Sequence, residues 1–414
     1  MATVKYGSLE EGRPYAADAI GDPATERAAV INLVSLFTGT GMLSLPYAAA
    51  RAGWLGGIVI LAGVQGTFMY TLYILALSFD ASGANSFAEL GEVALNARRL
   101  ITFSVFVEMM LALTSLEVSI ALNCYSVFAA APALLWLILS TLISLSLSLS
   151  KRWISAASVI GVSMIIVILA ALIVSGSNTH APEEYKMFDS SGVELSLGLT
   201  LFCCGGHAAF SSIYNNMEDK SEATLRRVIY RGAVSLFTIY ASIMLLGYFF
   251  YGEDTAMPIT LNIGSIEWTS RGDSLSQLQS SLEPNDLALL LRTVAAIAIV
   301  VNLQVTIPLL VFPLRGLVRY MFLNTENTEE NMLNNMFGTC SILIPAGILA
   351  EYLSDELAPL CAAIGLMSTT INSVLLPLLF YHCLKGDEAK GDVYFHAFLA
   401  ALTVLAAVIG LKHI

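Results

Sequence analysis

Apolar stretches of about 20 residues, the length that crosses a bilayer as a helix, recur along almost the whole of this 414-residue chain. Windows of about 19 residues resolve eleven of them, at 28–49, 55–79, 101–128, 131–149, 154–175, 195–216, 230–251, 287–314, 336–352, 357–382 and 393–411. Inside a bilayer the backbone must bond to itself, so a single run of this length can only be a helix. The expected fold class is an all-α polytopic membrane protein. The weakest of the eleven is 336–352, which Pro345 interrupts and Glu351 closes.

Composition closes the alternatives. Hydrophobic residues make up 56% of the chain and charged residues 13%, about half the ~25% of a soluble domain, which excludes a soluble multi-domain enzyme. With 20 basic against 32 acidic residues the net charge is −12, the wrong sign for nucleic acid. The first apolar stretch begins near Ala28, behind a polar acidic segment, so no cleaved leader is expected. The six cysteines fall in or at the ends of apolar segments, without zinc-type spacing, and no disulfide framework, metal or cofactor is expected.

The basic residues orient the bundle. With the N-terminus cytosolic, 15 Lys and Arg fall on the cytosolic side and 5 on the other, as the positive-inside rule requires. The expected organisation is a cytosolic tail at 1–27, five spans at 28–175, an outer loop at 176–194, five spans at 195–382 with a second outer loop at 252–286, and a last span with the C-terminus at 383–414. All other connections are expected to be short.

Two spans are not expected to be continuous helices. The first contains Thr38-Gly39-Thr40-Gly41-Met42-Leu43-Ser44-Leu45-Pro46, in which the glycines lower the cost of unwinding and the proline lacks an N–H. The sixth contains Cys203-Cys204-Gly205-Gly206-His207, followed by Ser211 and Tyr214 on the same helical face. Freed backbone at membrane depth is tolerated only where it lines a protein-enclosed cavity. Breaks at positions one and six suggest two five-helix repeats of inverted topology plus one extra helix. Such breaks offer amides to a carboxylate and carbonyls to a cation, which suits the zwitterionic head of an amino acid.

The run Gly39 to Ala48, followed by Ala52-Gly53-Trp54, resembles the first-helix signature of the amino acid/auxin permease family. Gly205-Gly206-His207 running to Asn216-Met217-Glu218-Asp219 resembles its sixth helix, Ile259-Thr260-Leu261-Asn262 the stretch after its seventh, and Ile307-Pro308 to Pro313-Leu314-Arg315 the end of its eighth. The resemblance implies a LeuT-type five-plus-five inverted repeat with broken helices 1 and 6. It also implies a secondary active amino acid transporter in which helices 1, 2, 6 and 7 rock against a scaffold. The substrate-binding residues it nominates are Thr38, Gly39, Thr40, Gly41, Met42, Ser44, Cys204, Gly205, Gly206, His207 and Ser211.

Ion coupling is read from the polar residues of the spans. Glu108 and Glu117 lie on opposite faces of the third span, so they cannot serve one cavity from a straight helix. Glu108 shares its stripe with Ser104, Ser115, Ser119 and Asn123, a face suited to an aqueous vestibule. Glu117 lies nearer mid-depth, where a charge costs about 2.5–3.5 kcal/mol, and is a candidate proton acceptor or a structural carboxylate. His207 is read equally as a proton relay or a helix–helix hydrogen-bonder. Arg292 is expected to snorkel to the interface. Sodium-coupled relatives use an amide on helix one and hydroxyls on helix eight; alignment places Ser35 and Gln304 there, with Thr306 near. The coupling set is therefore Glu117, His207, Ser35, Asn302, Gln304 and Thr306.

The reading is a proton-coupled carrier of neutral amino acids, working as a monomer in a lipid bilayer. A sodium-coupled symporter and an amino acid sensor without turnover are the alternatives. An intramembrane enzyme would need a catalytic constellation, and no aspartate lies within an expected span. Tyr6-Gly7-Ser8-Leu9 has the form of an endosomal sorting signal, which, with the absence of glycosylation acceptors, favours a vacuolar or other endomembrane over the plasma membrane.

Overall fold

The computed structural model describes residues 24–149, 154–178, 182, 184–264, 286–323, 332–386 and 388–412. The tail to residue 23 with its Tyr6–Leu9 motif, and most of the loop at 252–286, lie outside the described residues. Among the described residues, regular structure is helical apart from one β-bridge between Ala24 and Met217.

All eleven expected spans are helical. The first opens as α1 (Glu26–Phe37), capped by the Thr25 side chain. It breaks at Thr38 and Gly39, resumes as a 3-10 turn at Thr40–Ser44, and runs into α2 (Leu45–Ser82). The second span belongs to the same run, because at Gly53 the backbone turns through φ +79°. A Cβ there would lie 2.7 Å from the Met187 carbonyl carbon, so only glycine lets the turn seat against the segment that carries Met187.

The connection between the second and third spans is not a bare loop. It holds α3 (Phe87–Leu95), an amphipathic helix capped by Ser86 and ended by Asn96 in the left-handed region. The third span is α4 (Arg98–Val127), the fourth α5 (Ala133–Ser148) and the fifth α6 (Ile154–Gly176). The sixth is split into α7 (Val193–Cys204) and α8 (His207–Asn216). The seventh is α9 (Glu222–Tyr251) and the eighth α10 (Asp286–Leu323).

The ninth, α11 (Met332–Tyr352), runs unbroken through Pro345, so the proline that weakened its expectation does not divide it. The tenth opens as α12 (Leu357–Ile364), passes through π-helical turns at Gly365–Thr369 and Ile371–Leu375, and ends as α13 (Leu376–Lys385). The last is α14 (Val393–Gly410).

Packing sorts these helices into two bodies. The first and second spans pack on α7 and α9, whereas α4 packs on α5, α10 and α11. On the face where α1 begins, the backbone of Ala24 bonds with Asn216 and Glu218, tying the start of α1 to the end of α8. Glu26 pairs with Arg227 and Arg231 of α9. On the opposite face the segment between α6 and α7 lies over the Gly53 turn, with Trp54 and Leu55 donating to Lys186 and Met187, and Asp189 donating back to Ala52. Short backbone straps thus lie at both ends of the first of these bodies.

Candidate functional site

The two helix breaks meet. A Cβ on Gly41 would lie 2.5 Å from the Cys203 Cα, a backbone-to-backbone approach that only glycine permits. A Cβ on Gly206, where φ is +148°, would meet the Phe37 ring at 3.2 Å. Phe37 in turn packs edge-on to His207. The ends of four helical pieces therefore converge: the C-terminal ends of α1 and α7, and the N-terminal ends of the Thr40 turn and α8. C-terminal ends carry partial negative charge and N-terminal ends partial positive charge. The junction thus brings together backbone groups of both signs.

The freed carbonyls have a named partner. The Tyr240 hydroxyl, on a buried side chain of α9, lies 2.6 Å from the Phe37 carbonyl oxygen and 3.3 Å from that of Cys203. One side chain thus serves both breaks. Thr38 turns its hydroxyl back onto the Val34 carbonyl and Ser44 onto that of Gly41, closing the local ladder on either side of Gly39. Ser211 likewise bonds back to Ala208. At Gly39 an added methyl would meet no protein atom within 4 Å, so this is the position of the first break with free space beside it.

The nominated residues divide by role. Gly39, Thr40, Gly205, Gly206 and His207 form the junction itself. Gly41 is the contact between the breaks, Cys204 ends α7, and Met42 is wholly enclosed in the core. His207 is fully buried, and its Nε2 lies 3.0 Å from both the Phe68 carbonyl oxygen and the Thr71 hydroxyl of α2. A carbonyl only accepts, so Nε2 carries the proton and Nδ1 presents a lone pair. Nδ1 has no partner among the described residues.

Apart from His207, the coupling set does not gather at the junction. Ser140 of α5 donates to Glu117 and accepts from Gln304 Nε2 at 2.6 Å, while Ser144 donates to Gln304 Oε1 at 2.9 Å. All four are buried, and the donors run in one direction, toward the carboxyl. Asn302 donates to Gly161 of α6 and Thr306 to the Asn302 carbonyl. Ser35 is half-buried on α1, where its carbonyl accepts from Thr38.

Two expectations are corrected. Glu108 does not open on an aqueous vestibule: it is buried and accepts from Asn372 Nδ2 at 2.7 Å, while Ser104 donates to Asn372 Oδ1. The π-helical turns bring Asn372 there and set Thr369 against Gly205. Arg292 does not snorkel. It is 5% exposed and donates to the Gly264 carbonyl at 3.2 Å, because Gly264 packs directly against its turn of α10.

Sequence reading missed Tyr240, Thr71, Ser140 and Asn372. Tyr240 had one weak signal, the tyrosine in the otherwise small and apolar run Phe237-Thr238-Ile239-Tyr240-Ala241-Ser242-Ile243; the others are partners visible only across helices.

Comparison with known proteins accords with this geometry. The family described as transmembrane amino acid transporter protein matches residues 22–414. Amino acid transporter AVT1J of Arabidopsis thaliana is 24% identical over 374 residues, covering 86% of this chain and 82% of its own. AVT1I from the same plant is 26% identical over 386 residues, covering 87% and 86%. Among solved structures, MhsT in complex with L-phenylalanine aligns at 11% identity with a TM-score of 0.53, covering 97% of this chain and all of its own. A manganese transporter from Eremococcus coleocola aligns at 13% identity with a TM-score of 0.55, covering 97% and 96%. The fold is the LeuT type, a five-plus-five inverted repeat with an eleventh helix added. From residue 22 to its end, this chain belongs to the transmembrane amino acid transporter family.

Proposed function

We propose that this chain moves neutral amino acids across a membrane by alternating access, driven by a proton gradient. The observation that carries the reading is the convergence of the two breaks around Gly39 and Gly206, with Tyr240 holding the Phe37 and Cys203 carbonyls. The carboxylate is received by amides at the starts of the Thr40 turn and α8, whose first N–H groups have no carbonyl one turn back. The ammonium is received by carbonyls at the ends of α1 and α7. Among the described residues no fixed charge stands at the junction to select an acidic or basic side chain, which supports neutral substrates.

Proton rather than sodium coupling is supported by the protonatable groups His207 and Glu117. Gln304, where a sodium site wants a hydroxyl, is engaged with Ser140 and Ser144. The same reading puts the N-terminus in the cytosol and the carrier, as a monomer, in a vacuolar or other endomembrane. Uptake into proteoliposomes, with an imposed pH gradient and with or without sodium, tests it against a panel of competing amino acids. Accumulation driven by the pH gradient alone is the expected result. Accumulation that needs sodium would replace the proton, and binding without accumulation would make the protein a sensor.

A further inference from the structure

Away from the junction, three side chains form a hydrogen-bonded chain where α2, α13 and α14 converge. His396 Nδ1 of α14 lies 2.8 Å from His382 Nε2 of α13. His396 Nε2 lies 2.5 Å from the Tyr70 hydroxyl of α2. Aromatic edges fix all three rings: Tyr381 packs on both imidazoles, and Phe395 on Tyr70 and His396. His396 is 2% exposed, while His382 and Tyr70 are half-buried. His382 lies in the last turn of α13 and His396 in the first turn of α14, so the group sits toward the face on which α1 begins.

We infer that His382, His396 and Tyr70 form a proton-binding site that fastens α14 to α13 and α2, and that uptake of a second proton opens it between the two histidines. Counting protons gives the reason. With both imidazoles neutral, each contact has one donor, either running from Tyr70 through His396 to His382 or running back. One added proton is accommodated. A cationic His396 donates on both sides, to Tyr70 and to His382; a cationic His382 donates to His396, which then donates to Tyr70. A second proton leaves N–H groups facing each other across the His382–His396 contact, with no acceptor between two positive charges. That contact must part. The Tyr70–His396 bond survives, so α14 then follows α2 rather than α13.

The surrounding charges are few. On α2, Tyr73 lies one turn from Tyr70 and is engaged with Glu222 and Arg226 of α9. On α13 stand Tyr381 and Lys385, and Asp392 precedes α14 and acts on both His396 and Tyr70. Among the described residues Asp392 is the carboxylate that acts on the chain, and one carboxylate cannot neutralise two added protons. The site also bears on the junction, because the residue after Tyr70 is Thr71, which holds His207.

The test places spin labels on the native, exposed Cys383 and on Phe398→Cys, 63% exposed on α14. The background is the full chain with Cys124 and Cys340 replaced by serine. Pulsed distance measurements at about pH 8 and about pH 5 bracket the histidine range. The expected result is a longer-distance population that grows at least about threefold at the lower pH. It should not grow in His382→Gln or His396→Gln, whichever of them folds, because an amide keeps a hydrogen bond without titrating. No growth in the parent, or equal growth in the glutamine variant, overturns the inference. Neither result depends on whether transport is coupled to protons.

Discussion

The Tyr240 hydroxyl donates to the carbonyl oxygen of Phe37, the last residue of α1, at 2.6 Å. The same hydroxyl lies 3.3 Å from the carbonyl of Cys203, one residue before the end of α7. A continuous helix would have bonded these carbonyls to the amides four residues on, Gly41 and His207. Tyr240 therefore stands in for part of what the breaks remove, and it does so from α9, which packs against α1 and reaches α7 through this side chain.

Tyr240→Phe is expected to keep the ring packing and lose this bond. A buried polar group left unpaired costs about 1–3 kcal/mol, so the thermal midpoint of the purified protein falls. Uptake falls with it, because the carbonyls are freed to close onto other donors and the junction changes shape. Thermal unfolding and initial uptake rate, measured on the same preparation, check both parts. Unchanged values for both would mean that Tyr240 merely fills space.

The two glycines of the first break should separate packing from binding. Gly41→Ala drives a methyl to within 2.5 Å of the Cys203 backbone; the breaks must move apart, and both stability and transport are expected to be lost. Gly39→Ala meets no neighbour, so the protein should fold normally. Its methyl projects into the free space beside the break and should raise KM, most for the larger amino acids. A kinetic series on three or four substrates of increasing size reads this directly.

How far the sequence reaches is visible in these residues. Gly39, Gly41, Gly205 and Gly206 were legible because an interrupted apolar run is a local signal, and their partnership follows from the repeat. The eleven spans were legible for the same reason. Tyr240, Ser140 and Asn372 were not, since a hydroxyl or amide in an apolar helix does not say which of several neighbours it faces. Arg292 was misread because its acceptor, the Gly264 carbonyl, belongs to a loop without any pattern of its own. Helix α3 was missed because nine amphipathic residues are too short to stand out between two spans.

The proton path is tested by Glu117→Gln and His207→Ala. Glutamine preserves an acceptor for Ser140 and cannot take up a proton, so Glu117→Gln should fold and yet lose pH-gradient-driven accumulation. His207→Ala removes the ring that packs on Phe37 and Phe68 and costs stability as well. Uptake against pH, compared in both variants, is the measurement. A pH dependence unchanged in both would remove these groups from the coupling step.

The strap over the Gly53 turn should not contribute to that pH dependence. Bonds from Ser191, then the Lys186 ammonium, hold the Asp189 carboxyl down at about 2. A carboxyl so lowered stabilises the fold fully above its unfolded value of about 3.9, and the effect is lost only as pH falls toward 2. The strap therefore stays closed across the range in which histidine titrates. Hydrogen exchange at residues 184–189 should be insensitive to pH between about 5 and about 8, once intrinsic rates are corrected, and faster throughout in Asp189→Asn.

The opposite face is held differently, by Glu26 at the start of α1 pairing with Arg227 and Arg231. Such partly exposed pairs contribute about 0.2–1 kcal/mol each, too little to matter for folding. A transporter, however, sits near balance between states, and about 1 kcal/mol changes a population ratio roughly fivefold. Parting α1 from α9 exposes the inner face of α1, so Glu26→Gln should favour that state without lowering the unfolding temperature. Labelling of Ser35→Cys by a membrane-impermeant thiol reagent, applied from the face of α1, should then run up to about fivefold faster in the Glu26→Gln background. The Ala24–Met217 bridge is untouched by the substitution, so α1 should swing together with α8, and labelling at Asn215→Cys should accelerate in parallel. If Ser35→Cys accelerates while Asn215→Cys does not, α1 moves alone and the backbone bridge opens with it.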